Sequence, residues 1–427
     1  EDIVRLCTQV EVNVEGRIEP HDIDDAHLQT IQDRYHALER DGLRVLGVAW
    51  REVPRDHAVA VVNDESALVL AGFAAFLDPP KESAAPALAS MQQSGVTIKV
   101  VTGDSDLVTR HVCQQLNIEV TGVLTGKEIA QLDDQALQRR VETANLFCRV
   151  NPGQKQRVIL ALKANGHVVG YMGDGINDAP SLHAADVGLS VDSAVDVAKA
   201  AADIILLKQD LNVLHAGVLE GRRTFGNIMK YIMMGTSSNF GNMFSMAGAA
   251  LFLPFLPMLP TQILLNNILY DISEIPIPLD EVDAEETARP RVLDLTFIRD
   301  FMLVIGSISS VFDFLTFYVL LEVLNAHEQL FQTGWFVESL CTQVLVIFII
   351  RTRGNPFKSR PHPMLTLTSL AVVATAIGLP LTPLGTHLGF VAPPAYFYGI
   401  LAMMVVTYLC VVEVVKRAFY KRTLARQ

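Results

Sequence analysis

The sequence lacks a surplus of positive charge, and it contains little cysteine. Its 427 residues include 34 Lys and Arg against 46 Asp and Glu, so the formal net charge is -12. Binding to a nucleic-acid backbone needs excess cationic side chains, and we therefore expect no nucleic-acid partner. The five cysteines are scattered without metal-ligand spacing, which favours free thiols. The sequence opens on Glu1, with neither Met nor a signal peptide, which suggests a cut within a longer chain.

Charged residues are almost missing from long stretches of the second half. No Asp, Glu, Lys, Arg or His occurs in 231–270, about twice the ~20 residues that one helix needs to cross a bilayer. Prolines divide this stretch into two candidate spans. Further candidates are 301–321 and 335–350, and prolines divide 364–412 into two more. The pattern predicts six membrane-spanning helices within 223–427.

Basic residues in the short connections predict the orientation of these helices. Segment 351–360 contains four Lys or Arg and segment 416–426 contains five, whereas 322–332 and 380–394 contain none. The basic segments should face the cytoplasm. An even number of spans then places residues 1–222 and the C-terminus together in the cytoplasm.

Residues 1–222 alternate short apolar runs with helix-like segments, which is typical of a parallel sheet covered by helices. Polar residues at the carboxyl ends of such strands are where these sheets bind ligands. The predicted strands are 68–76, 97–101, 146–150, 167–172, 187–191 and 204–207.

Two carboxylates follow strand 167–172 in a Gly-Asp-Gly-Ile-Asn-Asp sequence at 173–178. Mg²⁺ prefers one or two carboxylates together with waters and phosphate oxygens. We interpret Asp174 as a direct Mg²⁺ ligand, with Asp178 and Asn177 holding its waters or the phosphate. Taken alone, the motif would favour a plain turn, because Gly-Asp-Gly and Asn-Asp are common turn sequences.

Two further elements suit phosphate chemistry. Thr102, Gly103 and Asp104 follow strand 97–101, and their hydroxyl and backbone N–H groups could hold phosphoryl oxygens. Lys155 lies in the first turn of a helix that Pro152 should begin. It could neutralise a transferring phosphoryl group. The simpler alternatives are a helix cap for the first motif and a solvent-facing lysine for the second.

In this order, the Thr102 motif, Lys155 and the paired aspartates resemble the haloacid-dehalogenase phosphotransfer core. With Asp78-Pro79-Pro80 and the six spans, the sequence resembles the P-type ATPases, which are ATP-driven cation pumps. The resemblance implies an α/β haloacid-dehalogenase-like (Rossmann-like) phosphorylation domain followed by an α-helical transmembrane bundle of six helices. The implied domains are a C-terminal remnant of the nucleotide-binding domain at 1–66, the phosphorylation domain at 67–222 and the membrane domain at 223–427.

The resemblance also implies ATP as substrate, Mg²⁺ as cofactor and an aspartyl-phosphate intermediate. The family's Asp-Lys-Thr-Gly segment, which contains the phosphorylated Asp, does not occur here, so that Asp is expected upstream. Arg44, in Gly-Leu-Arg-Val-Leu, and Arg149 are carried over as nucleotide or phosphate contacts. From the residues alone, Arg44 could equally be an exposed strand residue.

Four polar residues in the first two spans are candidate ligands of a transported ion. Asn239 and Asn242 are three apart, and Asn267 and Asp271 are four apart, so each pair shares one helical face. An ionisable group inside a membrane is a functional candidate by default, whereas an Asn can simply join helices by hydrogen bonds. In the P-type family, matching positions of the fifth and sixth helices coordinate the cation. One Asp with several amides suits a single divalent ion.

Segments 254–260 and 266–283 resemble the bacterial magnesium-transporting ATPases. This branch implies Mg²⁺ import into the cytoplasm by a multi-pass protein in the lipid bilayer of the bacterial inner membrane. The alternatives are a pump for calcium or another cation, a membrane-anchored phosphatase of the dehalogenase class, and a non-catalytic fragment of a pump.

Overall fold

The computed structural model describes residues 2–14, 16–54 and 61–424. The chain divides into two compact units, Glu1–Ala216 and Gly217–Gln427. The predicted boundary between the soluble and membrane parts, after residue 222, falls inside a long helix, Leu211–Ala249.

The first unit alternates strands and helices. Its strands are β1 (Cys7–Val14), β2 (Arg17–Asp22), β3 (Arg44–Trp50), β4 (Leu68–Phe76), β5 (Val100–Val101), β6 (Val123–Thr125), β7 (Leu146–Cys148), β8 (Gly170–Met172), β9 (Val187–Val191) and β10 (Ile204–Leu206). Its helices are α1 (Asp2–Leu6), α2 (Asp25–Arg40), α3 (Ala84–Gln93), α4 (Asp106–Gln115), α5 (Gly126–Gln131), α6 (Asp134–Thr143), α7 (Pro152–Ala164), α8 (Ala179–Ala184) and α9 (Asp196–Ala201).

Strand β4 belongs to a mixed sheet of order β2-β1-β4-β3. It pairs in parallel with β1 and antiparallel with β3. Our assignment of 68–76 to the parallel sheet was therefore wrong, although the segment is a strand. A short apolar run indicates a buried strand. It does not indicate which strands pair with it or whether they run parallel to it.

The remaining strands form two parallel sheets of three strands, β5-β7-β6 and β10-β9-β8, rather than the single sheet predicted. Strand β7 lies at the centre of its sheet, and all three of its residues are buried, as expected for a parallel strand covered on both faces. Phe147 of β7 packs with Leu124 of β6 and with Val158 and Leu162 of α7. This core fixes the position of α7, the helix whose first turn contains Lys155.

The second unit is helical. Its helices are α10 (Leu211–Ala249, which begins in the first unit), α11 (Pro260–Glu274), α12 (Ala284–Thr287), α13 (Leu295–Tyr318), α14 (Glu328–Leu345), α15 (Ile347–Ile350), α16 (Pro363–Gly378), α17 (Pro383–His387) and α18 (Ala395–Leu424).

Four helical segments among the described residues are long and apolar enough to cross a membrane: Leu295–Val323, Glu328–Ile350, Pro363–Leu381 and Ala395–Arg422. Helix α11 has 15 residues, and at 1.5 Å per residue it is shorter than the roughly 30 Å of a hydrocarbon core.

Helices α10 and α13 approach closely at small residues. A Cβ atom added to Gly306 would lie 2.7 Å from the Phe240 ring and 2.8 Å from the carbonyl oxygen of Ser237. Small residues allow such backbone contact between apolar helices. Three turns further along α13, Phe317 packs against Trp335 of α14, with ring centroids 4.9 Å apart. These contacts hold α13 against both α10 and α14.

Candidate functional site

The loop after β5 is closed by hydrogen bonds between its own residues. The Thr102 hydroxyl donates to Asp104 Oδ2 over 3.1 Å and accepts from the Asp104 backbone N–H at 3.1 Å. The Thr102 N–H donates to the Phe147 carbonyl over 2.9 Å, which ties the loop to the central strand. Ser105 caps α4 through its hydroxyl. Gly103 is exposed at the tip of the loop.

Lys155 lies in the first turn of α7, as predicted from Pro152. Asn151 caps this helix and forms a reciprocal capping box with Gln154, which is why the helix begins here. The Val150 N–H donates to the Thr102 carbonyl over 3.1 Å, so the start of α7 adjoins the Thr102 loop.

Asp178 receives three donors in the loop after β8. Its Oδ1 lies 2.8 Å from Lys155 Nζ and accepts from the Tyr171 hydroxyl at 2.8 Å, while Oδ2 accepts from the Gly175 N–H at 3.2 Å. The side chains of Lys155 and Asp178 are only 15% and 13% exposed. A Cβ on Gly173 would lie 2.5 Å from the Cβ of Asp178, so this turn requires glycine.

These contacts affect the acidity of both Asp178 and Tyr171. Burial opposes ionisation of Asp178, but the hydrogen bonds from Lys155 and Tyr171 outweigh it, so the pKa of Asp178 lies below its ordinary value. Burial, together with the neighbouring Asp178 carboxylate, raises the pKa of Tyr171. At neutral pH the arrangement is therefore an ion pair beside a neutral phenol.

Asp174 differs from Asp178, because its side chain is exposed while its carbonyl accepts from the Val195 N–H at 3.1 Å. Within the described ranges, no group of three or more His, Cys, Asp or Glu side chains could hold a metal ion. Mg²⁺ nevertheless fits this site, because it needs only one or two carboxylates with waters and phosphate oxygens. The available carboxylate is that of Asp174, since the oxygens of Asp178 are already hydrogen bonded. Asn177, the residue before Asp178, is exposed.

The two candidate arginines adjoin the Thr102 loop. Arg44 Nε lies 3.1 Å from Asp104 Oδ1, with the arginine side chain 65% exposed. Arg149 has an exposed position and a φ of 51°, which is uncommon for a residue other than glycine, and its N–H donates to the Asp104 carbonyl over 2.9 Å. The structure thus brings Thr102, Asp104, Arg44 and Arg149 together.

Three of the four predicted ion ligands line one cavity of the second unit. This amide-lined cavity has a volume of about 240 Å³. Asp271 is not among its lining residues; it lies on the exposed surface of α11, one turn beyond Asn267. The cavity is lined by Asn239, Asn242, Asn266, Asn267, Ser339, Trp335, Met243, Met246, Met258 and Ile263.

Sequence reasoning overlooked the contribution of α14 to this cavity. Gln343 Nε2 donates to Asn242 Oδ1 over 2.7 Å, and the Ser339 hydroxyl donates to the same oxygen over 3.2 Å. The buried oxygen Asn266 Oδ1 has no hydrogen-bond partner in the described part of the chain. The available signal was the spacing of Ser339 and Gln343, which are four apart in the candidate span 335–350.

Sequence reasoning also overlooked a fully buried ion cluster at Asp280. Lys230 Nζ lies 2.7 Å from Asp280 Oδ2, and Arg351 binds both carboxylate oxygens, at 2.9 and 3.0 Å. The backbone N–H of His362 donates to Oδ1 over 3.0 Å. The signal in the sequence was Asp280 itself, an acidic residue of segment 266–283, which resembles the bacterial magnesium-transporting ATPases.

Each of the two units contains a segment that matches the model of a known protein family. Residues 7–186 match the family model of haloacid dehalogenase-like hydrolases, and residues 255–418 match that of the C-terminus of cation transporting ATPases. The chain is 46% identical over 427 residues to the magnesium-transporting ATPase, P-type 1, of Salmonella typhimurium, covering 99% of this chain and 47% of the relative. It is 45% identical over 428 residues to the protein of the same name from Escherichia coli, with the same coverage. The chain spans about half the length of these curated relatives, and over 99% of its own length it resembles these P-type ATPases.

Proposed function

We propose that the protein containing this chain uses ATP to transport a divalent cation, and that the cation is Mg²⁺ imported into the cytoplasm. The observation that carries the proposal is the Lys155–Asp178 ion pair, held at 2.8 Å beside the exposed carboxylate of Asp174. The names of the relatives support Mg²⁺ as the ion.

In this proposal the first unit carries out phosphoryl transfer. The backbone N–H of Gly103 holds phosphoryl oxygens, as do the Thr102 hydroxyl and the Asp104 N–H once they exchange their hydrogen bonds within the loop for the phosphate. Lys155 neutralises the phosphoryl charge. Asp178 positions the Lys155 ammonium group. The phosphoryl acceptor is an aspartate in the part of the relatives that this chain does not cover. Bound Mg²⁺ would supply further charge neutralisation, with Asp174 as its direct ligand and Asp178 holding its waters.

The nucleotide would reach this site across the two arginines. Arg44 and Arg149 both adjoin Asp104, which places two arginines beside the Thr102 loop, where the phosphates of ATP would bind. Asn177 contributes a neutral hydrogen-bonding group on the side of Asp174. This assignment leaves recognition of the adenine to residues outside the chain.

The second unit would span the membrane six times, with α10 and α11 in addition to the four apolar segments. The basic segments 351–360 and 416–426 would face the cytoplasm of a bacterium, on the same side as residues 1–222. The transported ion would bind at Asn239, Asn242, Asn267 and Asp271, three of which line the amide-lined cavity. Neutral amides with one carboxylate suit an ion that keeps part of its water shell.

The proposal is tested by exposing membranes that contain the full-length protein to γ-labelled ATP. We expect acid-stable labelling of a band about twice the mass of this chain, because its relatives are about twice as long, and release of the label by hydroxylamine as from an acyl phosphate. No label, or label only on a hydroxyl group, would contradict the aspartyl-phosphate mechanism. Hydrolysis of simple phosphate esters without labelling by ATP would favour a phosphatase.

A further inference from the structure

Two acidic side chains lie in contact inside the second unit. Asp313 of α13 is 2% exposed and Glu338 of α14 is 1% exposed, and their carboxyl groups are within hydrogen-bonding reach of each other. Both helices belong to segments that could cross a membrane. An ionisable group at such a position is expensive, and it is a functional candidate by default.

The hydrogen bonds around the pair distinguish the two carboxyl groups. Asp313 Oδ1 accepts from Trp335 Nε1 at 2.9 Å, and Oδ2 accepts from the Ser245 hydroxyl at 2.6 Å. An indole N–H can only donate, so Asp313 Oδ1 must be an acceptor. Glu338 Oε2 is buried without a hydrogen-bond partner among the described residues. This pattern is satisfied if Asp313 is ionised and accepts a hydrogen bond from the protonated carboxyl group of Glu338.

No cation compensates the pair within the described residues, since neither carboxyl group has a Lys, Arg or His among its charged neighbours. Two adjacent buried carboxylates without a cation cannot both be ionised. Helix α16 carries no titratable side chain. The titratable groups that face the pair or the residues next to it are Cys341, Tyr408, Tyr270 and Glu274.

The pair adjoins the wall of the amide-lined cavity. Trp335 lines the cavity and donates its N–H to Asp313. Ser339, the residue after Glu338, lines the same cavity. On α10, Ser245 lies three residues from Asn242 and therefore on the same helical face. A charge that enters the cavity consequently acts on the carboxyl pair through one layer of side chains.

We propose that Asp313 and Glu338 form a proton-binding site that releases its proton when a divalent cation enters the amide-lined cavity. The coupling to the cation rests on the proposed function, whereas the proton site itself does not. On release the O–H bond of Glu338 breaks, the electron pair stays on the carboxylate and the proton passes to water. Because linkage is reciprocal, the bound proton weakens cation binding by the same factor by which the bound cation weakens proton binding.

The test is infrared difference spectroscopy of the full-length protein in lipid, in H₂O and in D₂O, with Mg²⁺ alone as the added ligand. We expect a protonated-carboxyl C=O band without Mg²⁺ that shifts in D₂O and weakens when Mg²⁺ is added. Glu338→Gln should remove this band. Asp313→Asn should shift it and retain it, because Glu338 then keeps its proton beside a neutral amide. The control Glu322→Gln, at an exposed position, should leave it unchanged.

Absence of the band in the unsubstituted protein would overturn the proton site, and so would its persistence in folded Glu338→Gln protein. A band whose intensity does not change at saturating Mg²⁺ would overturn the proposed coupling between proton release and cation binding. Asp313→Asn keeps the proposal testable if Glu338→Gln does not fold. Failure of the pump function is distinguishable, because it would abolish labelling by ATP and leave the proton band in place.

Discussion

Lys155 occupies a position where the loss of one charge should affect catalysis more than folding. Its ammonium group meets Asp178 at 2.8 Å beside the Thr102 loop. We expect Lys155→Gln to slow labelling by ATP by about a hundred- to a thousandfold, the usual effect of losing one preorganised group that stabilises transition-state charge. The matched control is Lys127→Gln, at an exposed position of α5. Equal rates for both variants would show that Lys155 is only a structural residue.

Asp178 should make the first unit sensitive to acid. Its pKa lies below the ordinary value of 3.8, so its stabilising contribution is present above pH 3.8 and disappears as the pH falls through the lowered pKa. We expect Asp178→Asn to lower the free energy of local opening by about 1–2 kcal/mol at pH 7. The difference from the unsubstituted protein should shrink below pH 3.8. Hydrogen exchange of the Gly175 amide measures it, and a pH-independent difference would contradict the ion-pair account.

Among the helices, the connection after α11 depends on the buried cluster at Asp280. This side chain is fully buried between Lys230 and Arg351. Asp280→Asn leaves two buried cations without their counter-charge, and we expect a loss of about 3–5 kcal/mol in stability. Asp300→Asn removes an exposed ion pair with Arg299 and should cost no more than about 1 kcal/mol. Thermal unfolding in detergent compares the two, and equal costs would refute the argument.

The close approach of α10 and α13 provides a second test at the level of helices. Gly306→Val places methyl groups where the Phe240 ring and the Ser237 carbonyl already lie within 3 Å of a Cβ position. We expect the substitution to lower the stability of the protein by about 1–3 kcal/mol, because it overpacks this contact. Gly399→Val on α18 is the control, since a Cβ there meets nothing within 4 Å. The same unfolding measurement applies, and similar stabilities would mean that the two helices can separate without cost.

Local signals in the sequence predicted elements better than they predicted partners. Pro152 predicted the start of α7, because the preference of proline for the first turn of a helix is a local signal. The partners of β4 were missed because strand pairing depends on contacts distant in sequence. The contact of Asp313 with Glu338 was missed for a similar reason, since it depends on the rotation of two helices about their axes. Asn239 and Asn242 were predicted as a pair because their spacing on one helix is visible in the sequence. The family resemblance, rather than spacing, joined this pair with Asn267 of the next helix.

At the scale of the whole molecule, the proposed function requires a phosphotransfer site in one unit and an ion site in the other. Each unit supplies its own evidence: the Lys155–Asp178 pair in the first and the amide-lined cavity in the second. Neither is sufficient for transport, because ATP hydrolysis must change the affinity of the ion site. The chain also spans only about half the length of its curated relatives, so the full-length protein is needed to test the account.

The most direct test of the central claim is ATP-driven release of labelled Mg²⁺ from preloaded vesicles that contain the full-length protein, with the ATP-binding side outward. Because the cytoplasmic, ATP-binding side faces outward in these vesicles, we expect ATP to drive Mg²⁺ out of the vesicle lumen and to deplete the preloaded label. Asp271→Asn should abolish this flux in protein that still inserts and folds. Mg²⁺ retained in the vesicles despite ATP hydrolysis, or a flux of Ca²⁺ in its place, would contradict the claim that this is a magnesium-importing pump.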